Sequence, residues 1–130
     1  MQKFTDAITI MDAVESTTSG VYLDVSDYDY ASLAVSLHST ATMTVKIAGS
    51  NSDDSPDITA AQSATNHFDY LDVTDMEDGA SIDGDTGIAA SGVNDFRLLR
   101  VDVSALKWLN AIHTAYTAGS TSIVAKLFRV

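Results

Sequence analysis

Apolar residues in this chain recur at every second position far more often than at every third or fourth. Val21, Leu23 and Val25 alternate in this way, as do Leu33, Val35 and Leu37, and Met43, Val45 and Ile47. A period of two puts alternate side chains on one face of an extended backbone, so each run predicts a half-buried strand. Phe4, Ile8 and Ile10 predict another near the start. Phe68, Tyr70 or Leu71, and Val73 predict one in the middle, with the buried face ambiguous. The last third adds three: Phe96, Leu98, Leu99, Val101 and Val103; then Trp108, Ile112 and Tyr116; then Ile123, Val124, Leu127 and Phe128. About eight short strands separated by turn-forming residues predict an all-β fold, an antiparallel β-sandwich of jelly-roll type.

The punctuation supports this reading. Gly49 to Asp57 holds the sole proline, Pro56, among Ser, Asn and Asp residues whose side chains hydrogen-bond their own backbone, so it predicts an exposed loop. A second such region runs from Asp75 to Gly92. Ala118-Gly119-Ser120 reads as a hairpin turn between the last two strands.

A length of 130 residues suits a single β-sandwich domain over 1–130, with residues 1–18 as an N-terminal arm. Hydrophobic residues make up 45% of the chain, which argues against disorder, and no apolar run approaches the roughly 20 residues that span a bilayer. The opening Met1-Gln2-Lys3-Phe4-Thr5-Asp6 has one lysine and then an acidic residue, with no apolar segment and small-residue cleavage site behind it, so it does not read as a secretion leader. Cysteine is absent, which removes disulfides and thiolate metal sites. Eighteen acidic residues against seven basic ones give a formal charge of −11. Such a surface repels phosphate backbones and anionic lipid headgroups, so neither nucleic acid nor membrane is an expected partner.

Catalytic chemistry finds little to stand on. There is no Gly-x-Ser-x-Gly elbow, and His38, His67 and His113 fall on or beside different strand-like runs. No catalytic residue, cofactor or metal is therefore expected, and the chain is read as a non-enzyme. Asp75, Glu77, Asp78, Asp83 and Asp85, interleaved with Gly79, Gly84 and Gly87, are the hard oxygen ligands calcium uses. They lack the Asp-x-Asp-x-Asp-Gly order of an EF-hand, so the stretch is read as a solvated acidic loop. Tyr22, Tyr28, Tyr30, Tyr70, Tyr116 and Trp108 are the material for a sugar-stacking platform. The favoured reading places Trp108 and Tyr116 on one face of a strand with Ile112, packed in the core or a subunit interface.

One short sequence occurs twice. Leu23-Asp24-Val25-Ser26 precedes an aromatic turn and then Leu33 and Val35; Val101-Asp102-Val103-Ser104 precedes Leu106-Lys107-Trp108 and then Leu109 and Ile112. Strand-end turn chemistry and an internal duplication both account for the echo.

These residues also carry a resemblance. Asp24-Val25-Ser26, Tyr30 to Leu37, the Lys46-Ile47-Ala48-Gly49-Ser50-Asn51 strand end, the Arg100-Val101-Asp102-Val103-Ser104-Ala105-Leu106-Lys107-Trp108 segment and residues 115–122 together resemble small virion proteins of tailed bacteriophages. The resemblance spans about residues 20–130 and departs in the acidic stretch from Asp75 to Asp85. It implies a structural component of the virion, such as a capsid decoration or cement protein or a head or tail accessory protein. Such a protein would work by assembly with other virion proteins. A receptor- or carbohydrate-binding module of the same fold is the alternative.

The last strand indicates where assembly would occur. It is apolar on both faces, with Ile123 and Leu127 on one and Val124, Phe128 and Val130 on the other. One face suffices for a core, so Val124, Phe128 and Val130 are the expected interface, and the chain is expected to form a homo-oligomer.

Overall fold

Antiparallel pairing joins nine strands into one continuous ladder, and no helix interrupts it among the described residues. The structure is a computed structural model and describes residues 3–130. Met1 and Gln2 of the expected N-terminal arm lie outside the described residues. The strands are β1 (Lys3–Phe4), β2 (Ile8–Val14), β3 (Leu23–Asp24), β4 (Tyr30–Ser50), β5 (Asp69–Tyr70), β6 (Val73–Asp75), β7 (Ser81–Ile82), β8 (Ile88–Asp102) and β9 (Trp108–Arg129). Along the ladder the order is β1-β9-β4-β8-β6-β7, with β2 and β3 also on β9 and β5 on β4.

Two of these strands are very long, 21 residues in β4 and 22 in β9. Strands of that length twist and must bend to bury one face. The bends sit where the backbone takes left-handed conformations: Ser39 (φ 64°) and Thr40 (φ 57°) in β4, Gly92 (φ 67°) in β8 and Gly119 (φ 97°) in β9. They lie side by side, since Ala41 pairs with Val93 and Thr42 with Ala118, and the register shifts there. The sheet thereby folds over on itself. Leu33, Val35 and Leu37 before the bend and Met43, Val45 and Ile47 after it enter one core, with Ile10, Met11, Leu99, Val101 and Ile123. The first layer comprises β1, β2, residues 121–129 of β9, 30–38 of β4, 93–102 of β8, and β6. The second comprises β3, residues 108–116 of β9, 42–50 of β4, 88–91 of β8, and β5.

The all-β antiparallel architecture is what the alternation predicts, but two connections differ. The runs 33–37 and 43–47 are one bent strand, and Ala118-Gly119-Ser120 is a bend inside β9 instead of a hairpin. Gly119 supplies the positive φ that a hairpin also needs, so its local chemistry is the same in both cases. The partner strand decides: β4 continues to pair with β9 on both sides of the bend. A Cβ on Gly119 would lie 2.6 Å from the Ala41 Cα, so the two bends pack at a distance only glycine allows.

The Asp-Val-Ser echo proves to be structural. Ser26 and Ser104 each donate backbone N–H and hydroxyl to the Oδ1 of Asp24 and Asp102. Tyr28 N donates to Val25 O and Leu106 N to Val103 O, both at 3.0 Å. The equivalence extends through the fold. Val25 N donates to Lys107 O as Val103 N does to Asp29 O, and Lys107 N donates to Ser50 O as Asp29 N does to Phe128 O. Leu23 pairs with Leu109 as Val101 pairs with Ala31, and Tyr30 pairs with Phe128 as Trp108 pairs with Ser50. Exchanging residues 23–50 with 101–128 reproduces the ladder, a pseudo-two-fold arrangement of two βstrand–turn–long-strand units. The buried Val25 and Val103 lie in the two neighbouring turns that cross between the layers at the end of the core away from the bends.

Candidate functional site

The pseudo-symmetry makes the outer faces of the two layers comparable residue by residue. On the second layer, Ala48, Ile112 and Tyr22 point away from the main core and are covered by the segment between the repeats. Ile58 and Phe68 pack on them as a second, smaller cluster. The covering segment is fixed by polar bonds: Trp108 Nε1 donates to Ser52 O at 3.0 Å, Ile58 N to the Tyr22 hydroxyl at 3.1 Å, and Ser50 Oγ to His67 O at 2.6 Å. Asn66 braces it from within, accepting from Asp57 N and donating to the carbonyls of Asp57 and Ala61.

On the first layer the equivalent face has no cover among the described residues. Three ladder rows cross it. Phe128 pairs with Tyr30; Lys126 pairs with Ser32, which pairs with Arg100; Val124 pairs with Ala34, which pairs with Leu98. Phe96 follows beside Ser36. Phe96 is 67% exposed, Leu98 49% and Phe4 62%. The aromatic row is ordered by stacking: Tyr30 lies 5.4 Å from Phe128, Phe128 lies 5.5 Å from Phe4, and the Arg100 guanidinium sits 3.9 Å from the Tyr30 ring centroid. A cation held over an aromatic face keeps its N–H groups free at the rim. Arg100 and Lys126 form no ion pair among the described residues, while Arg97 and Lys107 do. The result is an apolar and aromatic sheet face with two cations that form no ion pair among the described residues, on a strongly acidic chain. Asp102 marks its end, its carboxyl held below the usual carboxylate range by the Ser104 hydroxyl and backbone N–H.

Of the residues expected at an interface, Val124 and Phe128 lie half-buried on this face. Val130 is exposed at its end, its N–H donating to Asp29 Oδ2 at 2.8 Å. Phe4, Tyr30, Phe96, Leu98 and Arg100 were not foreseen there. The run Phe96-Arg97-Leu98-Leu99 carried the signal, since consecutive Leu98 and Leu99 must face opposite sides of a strand.

The other candidates are dispersed. Asp75, Asp78 and Asp83 accept backbone N–H groups of their own turns, from Glu77, Ala80 and Asp85 respectively, so these carboxylates close local loops. Glu77 is exposed, and no three metal-ligating side chains converge among the described residues. The six aromatics form no common platform: Tyr28 and Tyr116 pack on the main core and Tyr22 and Tyr70 on the smaller cluster. Trp108 and Tyr116 do not share a face, because pairing of Thr44 with Ala115 and of Val45 with His113 leaves Thr114 as an extra residue that flips the alternation. Val21 is exposed despite its place in an alternating run.

His113 is the one fully buried histidine, in the main core. Nδ1 lies 2.7 Å from Ser16 O and so carries the proton, and Nε2, 2.7 Å from the Thr121 hydroxyl, accepts from it. Burial pushes its pKa down, with the Ser16 carbonyl opposing. Its partners are structural, and no cleft opens on it. Two clefts of about 280 Å³ and 260 Å³ share the exposed His67, beside Ser50 and the 51–56 loop, and among the described residues no buried side-chain polar atom lacks a hydrogen-bond partner there.

Fold and site thus define a two-layer, all-β antiparallel protein with one outer face covered by its own chain and the other open. No protein-family model and no curated protein matches the chain in sequence. Its fold is similar to that of the SPBc2 prophage-derived protein YomS, with a TM-score of 0.69 at 14% identity over 98% of this chain and 95% of YomS. It is also similar to part of the PBSX exported protein XepA, with a TM-score of 0.71 at 15% identity over 98% of this chain and 38% of XepA. The fold is therefore one that phage-derived proteins use.

Proposed function

We propose that the protein is a structural component of a tailed-phage virion, of the capsid decoration or head or tail accessory kind, which acts by binding other virion proteins and copies of itself. The observation that carries this reading is the open outer face of the first layer. An exposed face of aromatic and apolar rows on either side of two cations, on a sheet whose pseudo-symmetric counterpart is covered, is the kind of surface that partners bury. The likeness in fold to YomS and XepA supplies the phage setting. A sugar-stacking role for the same aromatics is less well supported, because Arg100 occupies the Tyr30 ring face that a sugar would take.

Sedimentation velocity across protein concentration and ionic strength tests the assembly role. We expect reversible association that persists at moderate salt and is weakened by Phe128→Asp or Phe96→Ser. A strict monomer that also binds no purified phage particle would defeat the reading.

A further inference from the structure

We infer that the open face receives the acidic turn Asp75–Ala80 of a second copy. This rests on the assembly reading above and adds the occupant. The face has a positive centre: Arg100 and Lys126 flank Ser32 on three adjacent strands and make no ion pair among the described residues. Apolar Leu98 and Phe96 lie beside them. Its complement needs carboxylates next to an exposed apolar side chain, and the same chain carries that combination. In the β6–β7 turn, Met76 is 51% exposed and is followed by the exposed Glu77 and Asp78.

The turn is built to project. Asp75 Oδ1 accepts from Glu77 N, Asp78 Oδ1 accepts from Ala80 N, and Gly79 N donates to Asp75 O. Gly79 has a φ of 74° and nothing within 4 Å of where a Cβ would be, so the tip stands clear of the body. The loop 51–68 also carries Asp53, Asp54 and Asp57, but it is bonded down over the second layer and its Ile58 is buried. The β6–β7 turn combines the exposed Glu77 carboxylate with the exposed Met76 side chain and a projecting tip at Gly79.

Geometry sets the mode of assembly. The turn adjoins the receiving face, since Thr74 pairs with Arg100 and Met76 N donates to Leu98 O at 3.0 Å. Two copies related by a two-fold axis therefore satisfy both contacts at once, each turn reaching the other's face. Bidentate pairing of the Arg100 guanidinium with a carboxylate would orient each junction.

The test uses charge exchange on the full chain, followed by sedimentation equilibrium, with circular dichroism confirming that each variant is folded. Glu77→Lys with Asp78→Lys, and separately Arg100→Glu with Lys126→Glu, are each expected to weaken self-association about tenfold or more. In a mixture of the two double variants every contact between unlike chains is charge-complementary, native turn on native face and reversed turn on reversed face, so the mixture should associate about as the parent does while each variant alone does not. The quadruple variant should recover self-association to within about threefold of the parent. If Phe96→Ser abolishes association while Glu77→Lys with Asp78→Lys does not alter it, the face is an interface but this occupant is wrong. If Phe96→Ser also leaves association unchanged, the assembly reading falls with it.

Discussion

On the second layer Ile112, Ala48 and Tyr22 lie beneath Ile58 and Phe68; on the first, their counterparts Ala34, Lys126 and Arg100 have no segment over them among the described residues. The ladder beneath is the same in both, so strand pairing does not explain the difference. Position in the chain does: the covering segment lies between the two repeats and follows only the first long strand. Side-chain chemistry tracks coverage. The sealed face has a small or apolar residue at Ala48 and an aromatic one at Tyr22, whereas the open face has cations at both places. A cation that keeps its head hydrated tolerates a face that is sometimes bare, and a sealed face would strand it.

The largest effect should appear where the cover is removed. Ile58→Ala is expected to cost about 2–5 kcal/mol in chemical denaturation, because it leaves a cavity over Ile112 and Ala48. A cost below about 0.5 kcal/mol would mean that the covering segment is not part of the folded unit and that the two faces are equally open.

The repeats also differ inside the core, where Val35 of one unit corresponds to His113 of the other. Burial lowers the folded pKa of His113, so protons bind preferentially to the unfolded chain below its ordinary value of 6.5. The stability it contributes is complete above that pH and declines as pH falls below it. Thermal unfolding should therefore show a falling Tm between about pH 6.5 and pH 5, with a shallower slope for His113→Gln, which does not titrate. Identical slopes would remove His113 as the acid-sensitive point of its unit.

The smallest effect belongs to the open face. Phe96→Ser should alter monomer stability by less than about 0.5 kcal/mol, since a ring 67% exposed makes few contacts to lose. A loss above about 2 kcal/mol would show that the first layer is covered within the single chain after all.

Much of the first layer was legible in the chain because alternation reports burial directly. Leu33, Val35, Leu37, Leu99 and Val101 are core residues on the strength of period alone, and the two-sided last strand correctly put Val124 and Phe128 on the opposite face from Ile123 and Leu127. The bends were not legible, because the residues that turn a strand are those that end one; Gly119 differs from a hairpin glycine only in what its distant partner β4 does. Extra residues such as Thr114 leave no mark in periodicity, so Trp108 and Tyr116 were expected together and lie apart. The cationic centre of the open face depends on Arg100 and Lys126 meeting across Ser32, a juxtaposition made by long-range register.

The span of β9 bears on how the chain reaches this state. The last of the nine strands to leave the ribosome is the one on which β1, β2, β3 and β4 all pair, and its side chains enter both layers. Until it emerges, the earlier strands have hydrogen-bonding edges and apolar faces with no partner, a condition that favours aggregation over productive collapse. Native structure over these residues is therefore acquired only once β9 is available, by a slow route dominated by pairings distant in sequence.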